Sequence, residues 1–139
     1  MDGYGNIIVA GYAYAGDDVN AAAARIDSNG TLDTSFSDDG KNSIGFGNAI
    51  DIAWDVTVDS TNRVILAGET NANGSDEDAA LFRLTASGAL DTSFSLDGGT
   101  YIDHGTDANR AYSVSLDGQD KLIIAGSANN GADLDFSLI

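Results

Sequence analysis

The chain has 139 residues, enough for one ordinary domain, and sets 22 acidic residues against six basic ones, for a formal net charge of −16. So acidic a surface repels phosphate backbones and anionic lipid, which argues against nucleic acid and membranes as partners. The absence of cysteine excludes disulfides and thiolate metal sites, and a 42% hydrophobic content excludes a disordered acidic tail.

In chain order, Asp2-Gly3-Tyr4-Gly5 reads as a turn, because Asp and Gly tolerate turn dihedrals. Residues 6–11 form a continuous apolar run ending in Ala-Gly, the pattern of a strand buried on both faces. An acidic loop with Asp17 and Asp18 leads to a strand over 21–26, then a turn at Ser28-Asn29-Gly30, the block Leu32-Asp33-Thr34-Ser35-Phe36, and a strand over 41–46. Residues 53–58 alternate apolar and polar, the period of a strand with one buried face. The order then repeats: a turn at 59–62, an apolar run at 63–68, an acidic loop with Asp76, Glu77 and Asp78, a strand at 79–84, a turn at 86–88, the block Leu90-Asp91-Thr92-Ser93-Phe94, and strands at 99–104 and 111–116. A third round opens with a turn at 117–120, an apolar run at 121–126, a loop reaching Asp133 and Asp135, and a strand at 136–139.

The two Leu-Asp-Thr-Ser-Phe blocks lie 58 residues apart, and the same offset relates Arg25 to Arg83, Gly30 to Gly88 and Trp54 to Tyr112. Four short strands per period of this length describe a propeller blade. The expectation is therefore an all-β chain of propeller-type blades, each of four antiparallel strands. It is one repeat domain over 1–139, with copies at about 1–58, 59–116 and 117–139, the last truncated. That amounts to about two and a half blades, an incomplete ring unless copies associate. A β-solenoid is the competing architecture, and the long four-strand period argues against it. The run Ala21-Ala22-Ala23-Ala24 has helical propensity, but its equivalents at 79–82 favour strand.

Twenty of the 22 acids are Asp, which favours turns and caps over helices. Asp33 with Arg25, and Asp91 with Arg83, recur once per copy. A repeated acid and cation read as an ion pair that ties the third strand to the block after its turn, rather than as a site. Phe36, Phe94, Trp54 and Tyr112 read as packing residues. The segment 27–33 has a faint likeness to a calcium loop, but no Glu closes it, and a turn is the better reading. His104 aligns with Phe46 and has no nucleophile motif beside it, so no catalytic residue is assigned.

The blocks at 32–36 and 90–94, the Asp-Gly pairs 39–40, 97–98 and 117–118, and the apolar runs ending in Gly11, Gly68 and Gly126 together resemble the delta-60 repeat family of bacterial β-propeller-like proteins. Ser37 and Ser95 stand where that family usually has Gly, and Asn20 stands where it has Asp. The resemblance implies an extracellular or cell-surface location, although charged and glycine residues from Asp2 onward form no signal peptide.

The functional expectation is a non-catalytic structural or binding module that completes its ring by self-association or with the rest of a longer chain. Loops at 12–20, 47–51, 70–78, 105–110 and 128–135 are expected to share one face. The candidate ligand-binding residues there are Asp17, Asp18, Asp76, Glu77, Asp78, Asp133 and Asp135. No cofactor is expected unless these acids hold calcium, and a protein or glycan is the expected ligand. The alternatives are a calcium-binding adhesion module and a carbohydrate-active enzyme using paired carboxylates.

Overall fold

A computed structural model describes residues 1–47, 49–72, 74, 76–103, 108–129 and 134–138, with backbone alone at 129 and 134–138. Among these residues the structure is all β. The ten strands are β1 (Ile7–Ala15), β2 (Asp18–Ile26), β3 (Lys41–Ile44), β4 (Asp51–Val58), β5 (Val64–Thr70), β6 (Asp78–Leu84), β7 (Gly99–Ile102), β8 (Arg110–Leu116), β9 (Leu122–Asn129) and β10 (Leu134–Leu138). They form three open antiparallel sheets in the orders β1-β2-β3, β4-β5-β6-β7 and β10-β9-β8. The middle sheet is a whole four-stranded propeller-type blade. The first sheet has the equivalents of its last three strands and the third sheet those of its first three, and the three do not close into a ring. The alanine run at 21–24 lies in β2, so tertiary pairing overrides helical propensity.

The core lies between the sheets. Val64, Leu66, Ala80, Phe82 and Leu84 of the middle sheet pack with Ile8, Ala21, Ala23, Phe36 and Ile44 of the first. The other face of the middle sheet, Ile65, Ala67, Ala79 and Leu81, packs with Ala111, Val114 and Ile124 of the third. β5 is therefore buried at every residue, as a continuous apolar run requires.

The period-2 pattern of the first strand of a blade is broken once in each copy. The β4–β5 register slips between Ala53 and Asp55, and the β8–β9 register between Ala111 and Ser113. Trp54 and Tyr112 are the extra residues of these bulges, and their side chains are half-exposed rather than packed in the core. The bulge explains the glycine that ends each apolar run. A Cβ on Gly68 would collide with the backbone of Ile52 and Ala53, and one on Gly126 with the backbone of Arg110 and Ala111. Gly11, which has no such strand beside it among the described residues, faces open space.

The Asp bias also has a local cause. Asp2 Oδ1 accepts from the backbone N–H groups of Tyr4 and Asn6, Asp27 Oδ1 from Asn29 and Thr31, Asp59 Oδ1 from Thr61 and Arg63, and Asp117 Oδ1 from Gln119 and Lys121. The shorter Asp side chain reaches these donors two and four residues on. The 27–33 segment is thus a turn whose acid is committed to its own backbone.

Each Leu-Asp-Thr-Ser-Phe block is held by the ion pair anticipated from the repeat. Arg25 Nε lies 2.8 Å from Asp33 Oδ2 and Arg83 Nε 2.7 Å from Asp91 Oδ2. The guanidinium groups also donate to Ser35 and Ser93 and lie 4.9 and 4.7 Å over the Phe36 and Phe94 rings. Ser37 and Ser95, at φ of 51° and 50°, occupy the left-handed region, which favours glycine.

Candidate functional site

At the loop end, hydrogen bonds extend the β4–β5 ladder of the middle sheet and join that sheet to the third. Ile50 N donates to Asn71 Oδ1, Asn71 N donates to Ile50 O, and Asn109 N donates to Glu77 O at 2.6 Å. The loop after the second strand therefore meets the loop between sheets on one face.

The expected acids have different fates there. Asp17 is exposed in the two-residue turn between β1 and β2, and Asp18 at the start of β2 is half-buried. Asp76 and Glu77 are half-buried, and Glu77 Oε2 lies 3.4 Å from Arg110 Nη2. Asp78 is 1% exposed and faces the sheet junction, not solvent. Burial pushes its carboxyl pKa up, and the neighbouring charges of Asp103 and Asp76 push it further, against a hydrogen bond from Asn109. Asp135 sits in β10 opposite Ala128 by backbone register. Asp133 and His104 lie outside the described residues. Among the described residues, no three acidic or histidine side chains are placed to hold a metal ion. No helix there is long and apolar enough to cross a membrane.

A second cluster was not anticipated. Glu69, near the end of β5, is 7% exposed, and its Oε2 accepts from Arg110 Nε at 2.6 Å and from Trp54 Nε1 at 3.2 Å. Burial opposes the charge on Arg110, but Glu69 and Glu77 outweigh it and raise its pKa. The result is a carboxylate neutralised by a cation, with the Trp54 ring held by its N–H and 48% exposed. Sequence carried a signal for this cluster. Arg110 takes the repeat position of Ile52, and Glu69 that of Ser127, so both break the repeat where the blades otherwise agree.

The fold and this loop face define a β-propeller-type repeat module. The chain is correspondingly similar to the family described as a domain of unknown function (DUF5122) beta-propeller, whose model matches residues 5–36 and 60–94. Those segments contain the first two apolar runs, the strands at 21–26 and 79–84, and both Leu-Asp-Thr-Ser-Phe blocks. No curated protein matches the chain.

Proposed function

We propose that this chain is a non-catalytic structural and binding module of a secreted or cell-surface bacterial protein. Its blade stack is continued by further blades, from second copies or from a longer chain. One observation carries this reading. Val64 and Leu66 are 1% and 0% exposed in the middle sheet, whereas Ile7 and Val9, their equivalents on the outer face of the first sheet, are 46% and 42% exposed. At the opposite end, Ile123 is 40% exposed against 2% for its equivalent Ile65. The two outer faces are thus the two halves of a junction made twice inside the chain. Unlike faces that match each other associate head to tail.

A non-catalytic role is supported by the recurrent acids Asp33 and Asp91, which are bonded to Arg and Ser within their own blades. The bacterial, extracellular setting is supported by the likeness to delta-60 repeats. Absolute mass by light scattering, over a concentration series with calcium and with chelator, tests the reading. A mass that rises in whole multiples of the chain is expected. A monomer at every concentration whose outer faces bind no hydrophobic dye overturns it.

A glycan is the ligand best suited to the half-exposed Trp54 and Tyr112, which occupy equivalent bulges and present aromatic surface beside polar groups. Quenching or a blue shift of the single tryptophan on adding soluble oligosaccharides is the expected result. An unchanged spectrum across a panel of neutral and acidic glycans removes this ligand class.

A further inference from the structure

At the junction of the first and second sheets, Val19 and Ile50 form a parallel bridge, which brings Asn20 beside Asp51. Asp51 is wholly buried. The Thr70 side chain hydrogen-bonds the Asp51 carboxyl, whose Oδ2 accepts from Phe46 N at 3.0 Å and whose Oδ1 has no hydrogen-bond donor. A Cβ on Gly45 would strike Asp51 Oδ2 and Asn20 Oδ1 together, so the two side chains share one small space.

The same place recurs 58 residues on, at the junction of the second and third sheets. There Asp78 takes the position of Asn20, and Asn109 the position of Asp51. The backbone contact is kept, from Asn109 N to Glu77 O, and the Asn109 side chain bonds Asp78. Both residues are 1% exposed. Acid and amide have changed sides, yet each junction still holds one of each.

The physics of a buried pair explains why the exchange is reciprocal. Two carboxylates in that space cannot both ionise. Two amides lose the charge-assisted hydrogen bond, which is roughly twice as strong as a neutral one. One acid and one amide satisfy both demands from either side, because an amide turned over presents NH₂ where its oxygen stood. Turning the Asn20 amide in this way lets it donate to Asp51.

We infer that this acid–amide pair is the matching element of the blade junction. A blade offering Asp at the start of its third strand accepts a neighbour offering a neutral amide at the start of its first strand, and the reverse holds. In the third sheet, Asp135 pairs with Ala128 as Asp78 pairs with Thr70 and Asn20 with Ala13. Any blade seated on this sheet is expected to offer a neutral donor, asparagine by preference, at that position. This extension rests on the stack being continued.

The test compares Asn20→Asp, Asp51→Asn and the exchanged double variant in the full chain, by denaturant unfolding at pH 7. Asn20→Asp is expected to lower the folding constant by about ten- to a hundredfold, the cost of setting a second carboxylate against buried Asp51. In the Asp51→Asn background the same change is expected to cost less than about threefold, a coupling that independent sites do not show. A double variant at least about tenfold less stable than Asp51→Asn alone overturns the inference, and that comparison stands even if Asn20→Asp does not fold. Light scattering on the same proteins keeps the two claims apart. Recovery in the double variant without association would leave the junction rule and remove second copies as the source of further blades, and association without recovery would do the opposite.

Discussion

The segments 32–40 and 90–98 have the same sequence motif, the same ion pair and the same turn, but different surroundings. In both, the Phe carbonyl accepts from a glycine N–H at 2.7 Å, and the Asp N–H donates to the Arg carbonyl at 2.9 Å. The first segment is roofed by the turn of the next sheet: Ser37 N donates to Ser87 O, Arg25 Nη1 to Ala86 O, and Asn42 Nδ2 to Gly88 O. Phe36 is consequently 0% exposed, whereas Phe94 remains partly exposed. The geometry of the block is thus set by its own residues, and its burial by the neighbouring sheet.

Substitutions at paired positions can break this comparison. Phe36→Ala should cost about 3–5 kcal/mol, and Phe94→Ala distinctly less, as judged by denaturant midpoints. Equal losses would mean that the roof contributes nothing. Gly68→Ala should cost about 3 kcal/mol, because its Cβ meets fixed backbone, while Gly11→Ala faces open space and should be near neutral. A large loss at Gly11 in an associated form would show that a neighbour has supplied a strand against β1.

Gly88→Ala and Gly30→Ala share the same backbone penalty, at φ of 87° and 82°, so their difference isolates the roof. Gly88 should be the more costly by about 1–2 kcal/mol, because its Cβ would strike Phe36. Ser37→Gly and Ser95→Gly relieve a left-handed serine, and each should raise the unfolding midpoint by an equivalent of about 0.5–1 kcal/mol.

Carboxylates within turns and at junctions should respond to pH in opposite directions. Asp59 is held below the usual carboxylate range, because hydrogen bonds from Arg63 and Thr61 outweigh its burial. Its contribution is present above pH 3.8 and lost as the pH falls through its lowered value. Asp51 is held above that range by burial. Its contribution is complete below pH 3.8 and lost as the pH rises through its raised value. Unfolding curves of Asp59→Asn and Asp51→Asn against the parent, from pH 3 to 7, should therefore tilt oppositely. Parallel tilts would refute the distinction.

Strand order, the repeat and the intrablade ion pairs were legible because each depends on residues close in sequence. The apolar run at 63–68 reads as doubly buried, and from Val64 onward it is so. The related run at 6–11 reads the same way, yet Ile7 and Val9 are exposed, because no sheet among the described residues covers that face. Trp54 and Tyr112 read as packing residues, but a register slip that alternation does not encode turns them outward. Asp76, Glu77 and Asp78 read as one acidic loop of candidate ligand-binding residues, whereas a neighbouring sheet buries Asp78 and supplies Arg110 to Glu77. The Glu69–Arg110–Trp54 cluster was hidden for the same reason, since its members come from β4, β5 and β8.

The aspartates at 2, 27, 59 and 117 each satisfy their own turn within four residues of chain. A repeat copied or deleted as a unit would carry these charges with their partners and leave no stranded acid behind. Such an array can change its number of blades over evolutionary time with little disturbance inside each blade. The fit between newly adjacent blades would then be what limits which copies persist.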